Sequence, residues 1–213
     1  MHGRGVHIIC TDEKTGIQAL ERAHPVLPMR PGQPEKREYE YDRHGTQCLI
    51  ANFEVATGRL VMPTVGKTRT EADFAEHIAR TIANDPGGEW VFVMDQLNTH
   101  KSETLVYLVA AVCGITDDLG KKEKSGILRS METRMAFLED STHRVRFVFT
   151  PKHTSWMNQV EIWFSILYRR VLKRGDFTSE ADLRQKILAF IEYFNATLTK
   201  PFRWTYAGRP LAA

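Results

Sequence analysis

Short apolar runs followed by polar residues constrain the fold of this 213-residue chain most strongly. The three runs occupy residues 6–11, 90–94 and 145–149, and Asp12 and Asp95 directly follow the first two. Runs of this length that are rich in valine, isoleucine and phenylalanine predict buried strands. A chain in which helix signals separate such strands is expected to fold as an α/β protein, with helices packed on one sheet.

Turn and capping signals separate the runs. Residues 46–55 and 59–65 flank an Ala-Thr-Gly turn and predict two antiparallel strands. Thr70 and Asp73 have the spacing of a capping box, and the helix that follows should end at the Asp-Pro-Gly-Gly segment of residues 85–88.

The second half of the chain adds helices and an inserted segment. Helices are expected at about residues 101–113, from near Trp156, and after a capping box formed by Ser179 and Asp182. Residues 114–142 are rich in Gly, Lys, Asp and Ser and are interpreted as an insertion that carries one amphipathic helix. The full order predicts an α/β, ribonuclease-H-like architecture, a sheet of mixed strand direction flanked by helices.

The helix that begins near Trp156 has the most regular apolar pattern in the chain. Its apolar residues recur at helical spacing and form one stripe: Trp156, Val160, Trp163, Phe164, Leu167 and Val171. A stripe of this kind favours core positions for the aromatic residues over stacking against nucleic-acid bases. Glu161 falls about 140° from Trp156 around the helix, at the border of the stripe.

Asp12, Asp95 and Glu161 are the candidate catalytic residues. Functional side chains of α/β sheets gather at the carboxyl ends of strands, where Asp12 and Asp95 are expected. A helix that packs across both strands would add Glu161 to an all-oxygen cluster of the kind that binds Mg²⁺. Two such ions would serve an in-line phosphoryl displacement. Each acid alone also fits a structural role, at a strand end or on a helix surface.

The charge distribution favours a polyanionic partner. The net charge is only +3, but residues 144–175 contain seven basic residues against a single acid, Glu161, a local net charge of +6. Basic residues beside metal-binding acids suit a protein that binds the DNA backbone, although a solvated helix end would have the same composition. The candidate phosphate contacts are Lys152, Arg169, Arg170, Lys173 and Arg174.

Other metal sites and membrane segments are disfavoured. Cys10, Cys48 and Cys113 have no CxxC spacing, and the eight histidines form no HxxxH or HExxH pattern. Residues 105–113 form the longest apolar run, about half the length of a membrane-spanning helix. The N-terminal sequence has no secretory signal pattern, so we expect a cytoplasmic protein.

The segment TPKHTSWMNQVEIWFS, residues 150–165, resembles the signature around the last catalytic acid of bacterial insertion-sequence transposases in the mariner superfamily, which have a DDE catalytic domain. The resemblance covers nearly the whole chain. It extends to residues 11–14 with 18 and 19, residues 43–46, residues 94–95 with 99–101, and residue 195 with 201–205.

This resemblance implies a DNA transposase that associates with the bacterial nucleoid. Asp12, Asp95 and Glu161 would hold two Mg²⁺ ions, or Mn²⁺ in their place, whereas Glu13 is excluded because adjacent strand residues point to opposite faces. Metal-activated water would hydrolyse the end of the element, and the freed 3′ hydroxyl would then attack double-stranded target DNA. The resemblance also implies a TA target and a homodimer that acts across two transposon ends.

Three features depart from the family pattern. Gln96 stands where many relatives have Asn, and the 66 positions from Asp95 to Glu161 exceed the usual spacing by about the length of residues 114–142. The N-terminal helix-turn-helix DNA-binding domain is expected to be absent, because Asp12 lies close to residue 1. We therefore expect residues 1–213 to form one catalytic domain, which is either the downstream product of a split reading frame, with a helix-turn-helix subunit encoded upstream, or a truncated remnant.

Two alternatives remain open from the sequence. The chain would also fit a ribonuclease-H-like endonuclease that cuts but never joins strands, or an inactive truncated remnant that only binds DNA or a partner transposase. His44 and His153 have open roles too, because a histidine in a loop either touches DNA or makes a structural hydrogen bond.

Overall fold

One mixed sheet organises the protein, whose computed structural model describes residues 5–151 and 154–203. Its strands are β1 (Val6–Arg22), β2 (Tyr41–Glu54), β3 (Arg59–Gly66), β4 (Glu89–Met94) and β5 (Val145–Phe149). The order across the sheet is β3-β2-β1-β4-β5. β2 is antiparallel to β1 and β3, whereas β1, β4 and β5 run parallel. The expected α/β fold with mixed strand directions is confirmed.

Helices cover both faces of this sheet. The α-helices are α1 (Glu71–Ile82), α2 (Glu103–Cys113), α3 (Met131–Leu138), α4 (Val160–Leu167) and α5 (Glu180–Thr197). Short 3-10 turns occupy Asn98–Lys101, Ile127–Arg129 and Ser155–Met157, and a π-helical turn at Tyr168–Leu172 extends α4. Within the described ranges, no helix combines the length and apolar character needed to cross a bilayer.

Two hydrophobic cores lie on opposite sides of the sheet. Adjacent strand residues alternate between them: Ile9 and Ile50 belong to the core with α1, α2 and α3, whereas Cys10 and Leu49 belong to the core with α4 and α5. Because successive strand side chains point to opposite faces, this alternation assigns each helix group to one face. The central strands β1 and β2 are therefore buried from both sides.

Local sequence signals set most helix boundaries. The Thr70 and Asp73 capping box is present at the start of α1, as expected. Gly114 ends α2 in a left-handed conformation at φ 70°, which suits glycine because it has no Cβ. Ser179 accepts a hydrogen bond from the backbone N–H of Asp182 at the start of α5, but the Asp182 carboxylate bonds to Thr178 N. The expected capping box there is therefore only half formed.

The inserted segment, residues 114–142, packs onto the body of the protein. Leu119, Leu128 and Leu138 are buried in the core that contains α1 and α2. The apolar pattern of Ile127, Met131, Met135 and Leu138 suggested one amphipathic helix, but Ile127 lies in a separate 3-10 turn before α3, so the helix is shorter. α3 also contacts the Asn98–Lys101 turn that follows β4.

Two expectations about element boundaries are wrong. β1 does not end before Asp12 but continues to Arg22, because its antiparallel pairing with β2 persists after its parallel pairing with β4 stops at Cys10. The apolar stripe does not begin at Trp156, which is 50% exposed in a 3-10 turn ahead of α4. Core positions are confirmed for Trp163 and Phe164.

An ionic cluster at the start of β1 makes stability depend on pH. The His7 ring stacks on Trp90 and lies 2.9 Å from Glu54 Oε1 and 3.0 Å from Asp85 Oδ2. Burial lowers the pKa of His7, but the hydrogen bonds and charges of the two carboxylates raise it more, so the net shift is upward. The stabilisation is therefore complete below the unfolded pKa of 6.5 and is lost as pH rises through the higher folded pKa.

We expect His7→Phe, which keeps a ring on Trp90, to destabilise the protein by less than about 1 kcal/mol at low pH, because solvent screens this partly exposed cluster. The difference in the free energy of unfolding between His7→Phe and the wild type should shrink as pH rises. Urea unfolding at several pH values measures it, with the exposed His24→Phe as the control. A difference that is constant with pH would contradict the charge assignment.

Candidate active site

Asp12 and Asp95 lie side by side where the parallel part of the sheet ends. The parallel pairing of β1 with β4 stops at Cys10 and Val93, and Asp95 immediately follows β4. Asp12 is two residues beyond Cys10, in the part of β1 that pairs only with β2. The expected location of both acids at the carboxyl end of the parallel strands is therefore correct, although β1 itself continues.

A buried amide anchors the start of α4 against β1. Asn158 Nδ2 donates to the Thr11 carbonyl oxygen at 2.8 Å and lies 3.4 Å from Asp12 Oδ2. Asn158 is fully buried, and its own carbonyl accepts a hydrogen bond from Glu161 N. Glu161 thus enters the first turn of α4 at a position set by Asn158, close to Asp12.

The charges of both other acids act on Asp12. It is 8% exposed, and its pKa is raised to about 7 by burial and by the charges of Asp95, Glu13 and Glu161, against a hydrogen bond from Glu13 N. A carboxyl group that is buried among like charges is disfavoured as an anion. A divalent cation would offset this repulsion, so the electrostatics of Asp12 fit a metal ligand.

Asp95 has the opposite electrostatic environment. Its Oδ1 lies 2.8 Å from His100 Nδ1 and accepts a hydrogen bond from Leu97 N at 2.9 Å. The hydrogen bond from His100 lowers the pKa of Asp95 despite partial burial. His100 Nε2 lies 3.0 Å from Glu13 Oε2. Burial lowers the pKa of His100, but the hydrogen bonds and charges of these two carboxylates raise it more strongly, to about 10.

The three acids supply the oxygen donors that Mg²⁺ and Mn²⁺ prefer. In residues 5–151 and 154–203, no three His, Cys, Asp or Glu side chains lie close enough together to hold one ion. An arrangement of two ions needs only pairs of acids, and Asp12 is the acid that senses the charge of both others.

Basic residues flank Glu161 in an open groove. The groove is lined by Lys14, Glu161, Phe164, Ser165, Tyr168 and Arg169. Lys14 lies two residues after Asp12 on the same face of β1, and its ammonium group is 5.9 Å from the centre of the Phe164 ring. Arg169 also borders a neighbouring groove that contains Arg170 and Lys200. Positive charge therefore begins beside Glu161 and continues along the π-helical turn.

The other candidate DNA contacts are less closely tied to the acids. Lys173 and Arg174 are exposed beyond the π-helical turn, and neither lines the groove of Glu161. Lys152, together with His153, lies outside the described residues. His44 lies 2.7 Å from Glu21 on the neighbouring strand, which is a structural contact.

Gln96 and His100 have roles that the sequence pattern did not assign. Gln96 Nε2 donates to the Thr150 carbonyl oxygen at 3.1 Å, so it joins the ends of β4 and β5 instead of contacting an acid. His100 lies in residues 99–101, which are part of the family resemblance, but the sequence pattern assigned it no role. Its partner Glu13 is 87 positions away, so no local pattern could have paired them. The position of Lys14 on the same face as Asp12 could have been predicted, because alternate residues of a strand point to the same face.

The chain has recognisable relatives among known structures. It is similar to Mos1 transposase in a paired-end complex with the left transposon end, with a TM-score of 0.53 and 11% sequence identity. That similarity covers 89% of this chain and 48% of the Mos1 chain, so this chain spans about half the length of that transposase. The mariner Mos1 paired-end complex with Mg also matches, with a TM-score of 0.35 and 15% identity, over 92% of this chain and 57% of that one.

The sequence comparisons bear on the family directly. Among proteins with curated functions, none matches this chain. The structural likeness to Mos1 transposase agrees with the ribonuclease-H-like fold expected from the order of elements. Residues 7–184, which include Asp12, Asp95 and Glu161, match the family described as DDE superfamily endonuclease. Because this match spans most of its length, the chain belongs to the DDE superfamily of endonucleases.

Proposed function

We propose that residues 1–213 are the catalytic domain of a cut-and-paste DNA transposase, in which Asp12, Asp95 and Glu161 are the catalytic acids. The observation that carries this proposal is the position of Asp12, buried among the charges of Asp95 and Glu161 on a ribonuclease-H-like sheet. The similarity to a transposase bound to its transposon end supports double-stranded DNA as the substrate.

Asp12 and Asp95 would hold one Mg²⁺ or Mn²⁺ ion, and Asp12 and Glu161 the other. When bound, such ions activate the attacking oxygen and stabilise the leaving oxygen of a phosphoryl transfer. Asn158 fixes Glu161 relative to β1, while Leu97 N and His100 fix Asp95. Lys14 and Arg169 stand where they would hold a DNA phosphate beside Glu161. No side chain has to act as a nucleophile.

The proposed reaction has two steps. Hydrolysis at the end of the element frees a 3′ hydroxyl, which then attacks a phosphodiester of the target DNA. We propose that two copies act together across two transposon ends. The similarity to a paired-end complex supports this arrangement.

Plasmid nicking tests the hydrolytic step. Incubation of the purified chain with supercoiled plasmid and Mg²⁺ or Mn²⁺ should give nicked circles, and chelation of the metal with EDTA should prevent nicking. Asp95→Asn serves as the matched control for a contaminating nuclease. Nicking that persists in EDTA, or is equal in Asp95→Asn, would contradict the assignment.

Arg169→Gln should weaken DNA binding in a manner that depends on salt. Loss of one phosphate contact is expected to lower the magnitude of the slope of log affinity against log salt concentration by about 1. Fluorescence anisotropy with a labelled duplex at several salt concentrations measures this slope. Arg80→Gln, on the opposite face of the sheet, is the control and should leave the slope unchanged. Equal slopes for wild type and Arg169→Gln would remove Arg169 from the interface.

A further inference from the structure

We propose that His100, held in place by Glu13, is a positioning residue that fixes which oxygen of Asp95 faces the catalytic site. This inference rests on the proposed function, in which Asp95 holds a divalent ion. It assigns a task to two residues with buried side chains, Glu13 and His100.

The first step of the argument concerns the two oxygens of Asp95. Oδ1 forms an ion pair with His100 Nδ1 at 2.8 Å and accepts a hydrogen bond from Leu97 N at 2.9 Å, while His100 Nδ1 also hydrogen-bonds to the backbone carbonyl oxygen of Asp95 at 3.2 Å. Oδ2 has no hydrogen-bond partner among the residues that the structure describes. Because the ion pair with His100 and the hydrogen bond from Leu97 N both fall on Oδ1, they restrict the rotation of the carboxylate and leave Oδ2 available. A carboxylate held in this way offers a single, oriented ligand atom.

The second step concerns the other contacts of the His100 ring, with Glu13 and Phe74. Nε2 lies 3.0 Å from Glu13 Oε2, and the ring centre lies 4.4 Å from that of Phe74. The side chains of His100 and Glu13 are 0% and 1% exposed. Because Glu13 is adjacent to Asp12 on β1, the same strand supplies one acid and, through Glu13 and His100, the support of another.

This arrangement is costly as mere packing. Burial of a pair of polar side chains carries a desolvation penalty that hydrophobic residues of similar volume avoid. Glu13 Oε1 is also buried without a hydrogen-bond partner in the described part of the chain, which adds to the cost. An apolar replacement of His100 would remove the ring nitrogen that contacts Asp95.

The proposal predicts different effects for two variants of His100. An asparagine side chain places its amide nitrogen near the position of Nδ1, so His100→Asn keeps a donor to Asp95. A glutamine places its amide nitrogen near Nε2, so His100→Gln keeps the contact with Glu13 and loses the one with Asp95. Loss of support for a metal-binding carboxylate typically weakens metal binding by about 10- to 100-fold.

Binding of Mn²⁺ to the purified full chain, measured by isothermal titration calorimetry, tests the proposal independently of DNA cleavage. We expect His100→Gln to weaken Mn²⁺ binding by about 10- to 100-fold and His100→Asn to weaken it by less than about fivefold. Thermal unfolding of each variant reports structural damage separately. His44→Gln, which disturbs a comparable pair with exposed Glu21, is the control and should bind Mn²⁺ like wild type.

The outcomes separate this inference from the proposed function. Absence of Mn²⁺ binding by folded wild-type protein would overturn the proposed function, and this inference with it. Wild-type binding with equal affinities in the two His100 variants would overturn only the positioning role. If neither variant folds, Glu13→Gln decides: weaker Mn²⁺ binding in a folded protein supports the role, and unchanged binding overturns it.

Discussion

Asp12→Asn is expected to reduce the rate of DNA cleavage by about 1,000-fold or more, because loss of a shared metal ligand removes several kcal/mol of transition-state stabilisation. The same substitution should make the metal-free protein more stable at neutral pH. A carboxylate at this position is buried beside Asp95 and Glu161, and asparagine fills the same volume without the charge. Opposite changes in activity and stability are typical of residues selected for function.

The pH dependence of that stability follows from the pKa of Asp12. The pKa is 3.8 unfolded and about 7 folded, so between these values the folded protein keeps a proton that the unfolded chain has released. The contribution of Asp12 to stability therefore falls as pH rises from about 4 to about 7 and remains unfavourable above that range. The free energy of unfolding of Asp12→Asn should exceed that of the wild type by on the order of 2 to 4 kcal/mol at pH 8 and by almost nothing at pH 4.

Urea unfolding of wild type and Asp12→Asn in EDTA, at several pH values, measures this difference. Asp42→Asn, at an exposed position of β2, is the control and should show no such pH dependence. Addition of Mn²⁺ should stabilise the wild type and leave Asp12→Asn unchanged, since only the wild type has the full ligand set. Lower stability of Asp12→Asn at pH 8 would contradict the burial of a repelled carboxylate.

Trp163→Ala is expected to destabilise the protein by about 3 to 5 kcal/mol. Trp163 is fully buried on α4 and packs against Phe164, Phe190 and Phe194, so its removal leaves a large cavity between α4 and α5. Because α4 carries Glu161, loss of this packing should also reduce DNA cleavage at temperatures where the variant is still folded.

Trp163→Phe is the matched comparison for this cavity. The indole Nε1 of Trp163 is buried without a hydrogen-bond partner in the described residues, so phenylalanine removes an unsatisfied donor together with some volume. We expect a cost of less than about 1.5 kcal/mol for Trp163→Phe. Thermal and urea unfolding of both variants measure these changes. Similar losses in the two variants would contradict the assignment of the stability loss to the volume removed.

Sequence patterns predicted those parts of the fold that depend on local spacing. The capping box at Thr70 and Asp73, the hairpin between β2 and β3 and the helix that follows Ser179 are all present. Patterns failed where a distant partner decides the conformation. The polar segment after Asp12 suggested a strand end, but β2 continues to pair with it as far as Arg22.

The same distinction holds for the candidate site. The helical stripe was extrapolated back to Trp156, but Asn158 bonds to the Thr11 carbonyl, and regular α-helix begins only at Val160. Glu13 was set aside because it points away from Asp12, and in the structure it contacts His100. Its support of Asp95 depends on two strands and a turn meeting in space, which spacing along the chain does not encode.

Strand transfer is the most direct test of the central claim. The purified chain would be incubated with Mg²⁺ or Mn²⁺, a precut donor duplex and a supercoiled target plasmid, with Glu161→Gln as the matched control. The account predicts joined product from the wild type and none from Glu161→Gln. Nicking without joining would instead identify an endonuclease, and a folded, metal-binding wild type that neither nicks nor joins would contradict a catalytic domain active by itself.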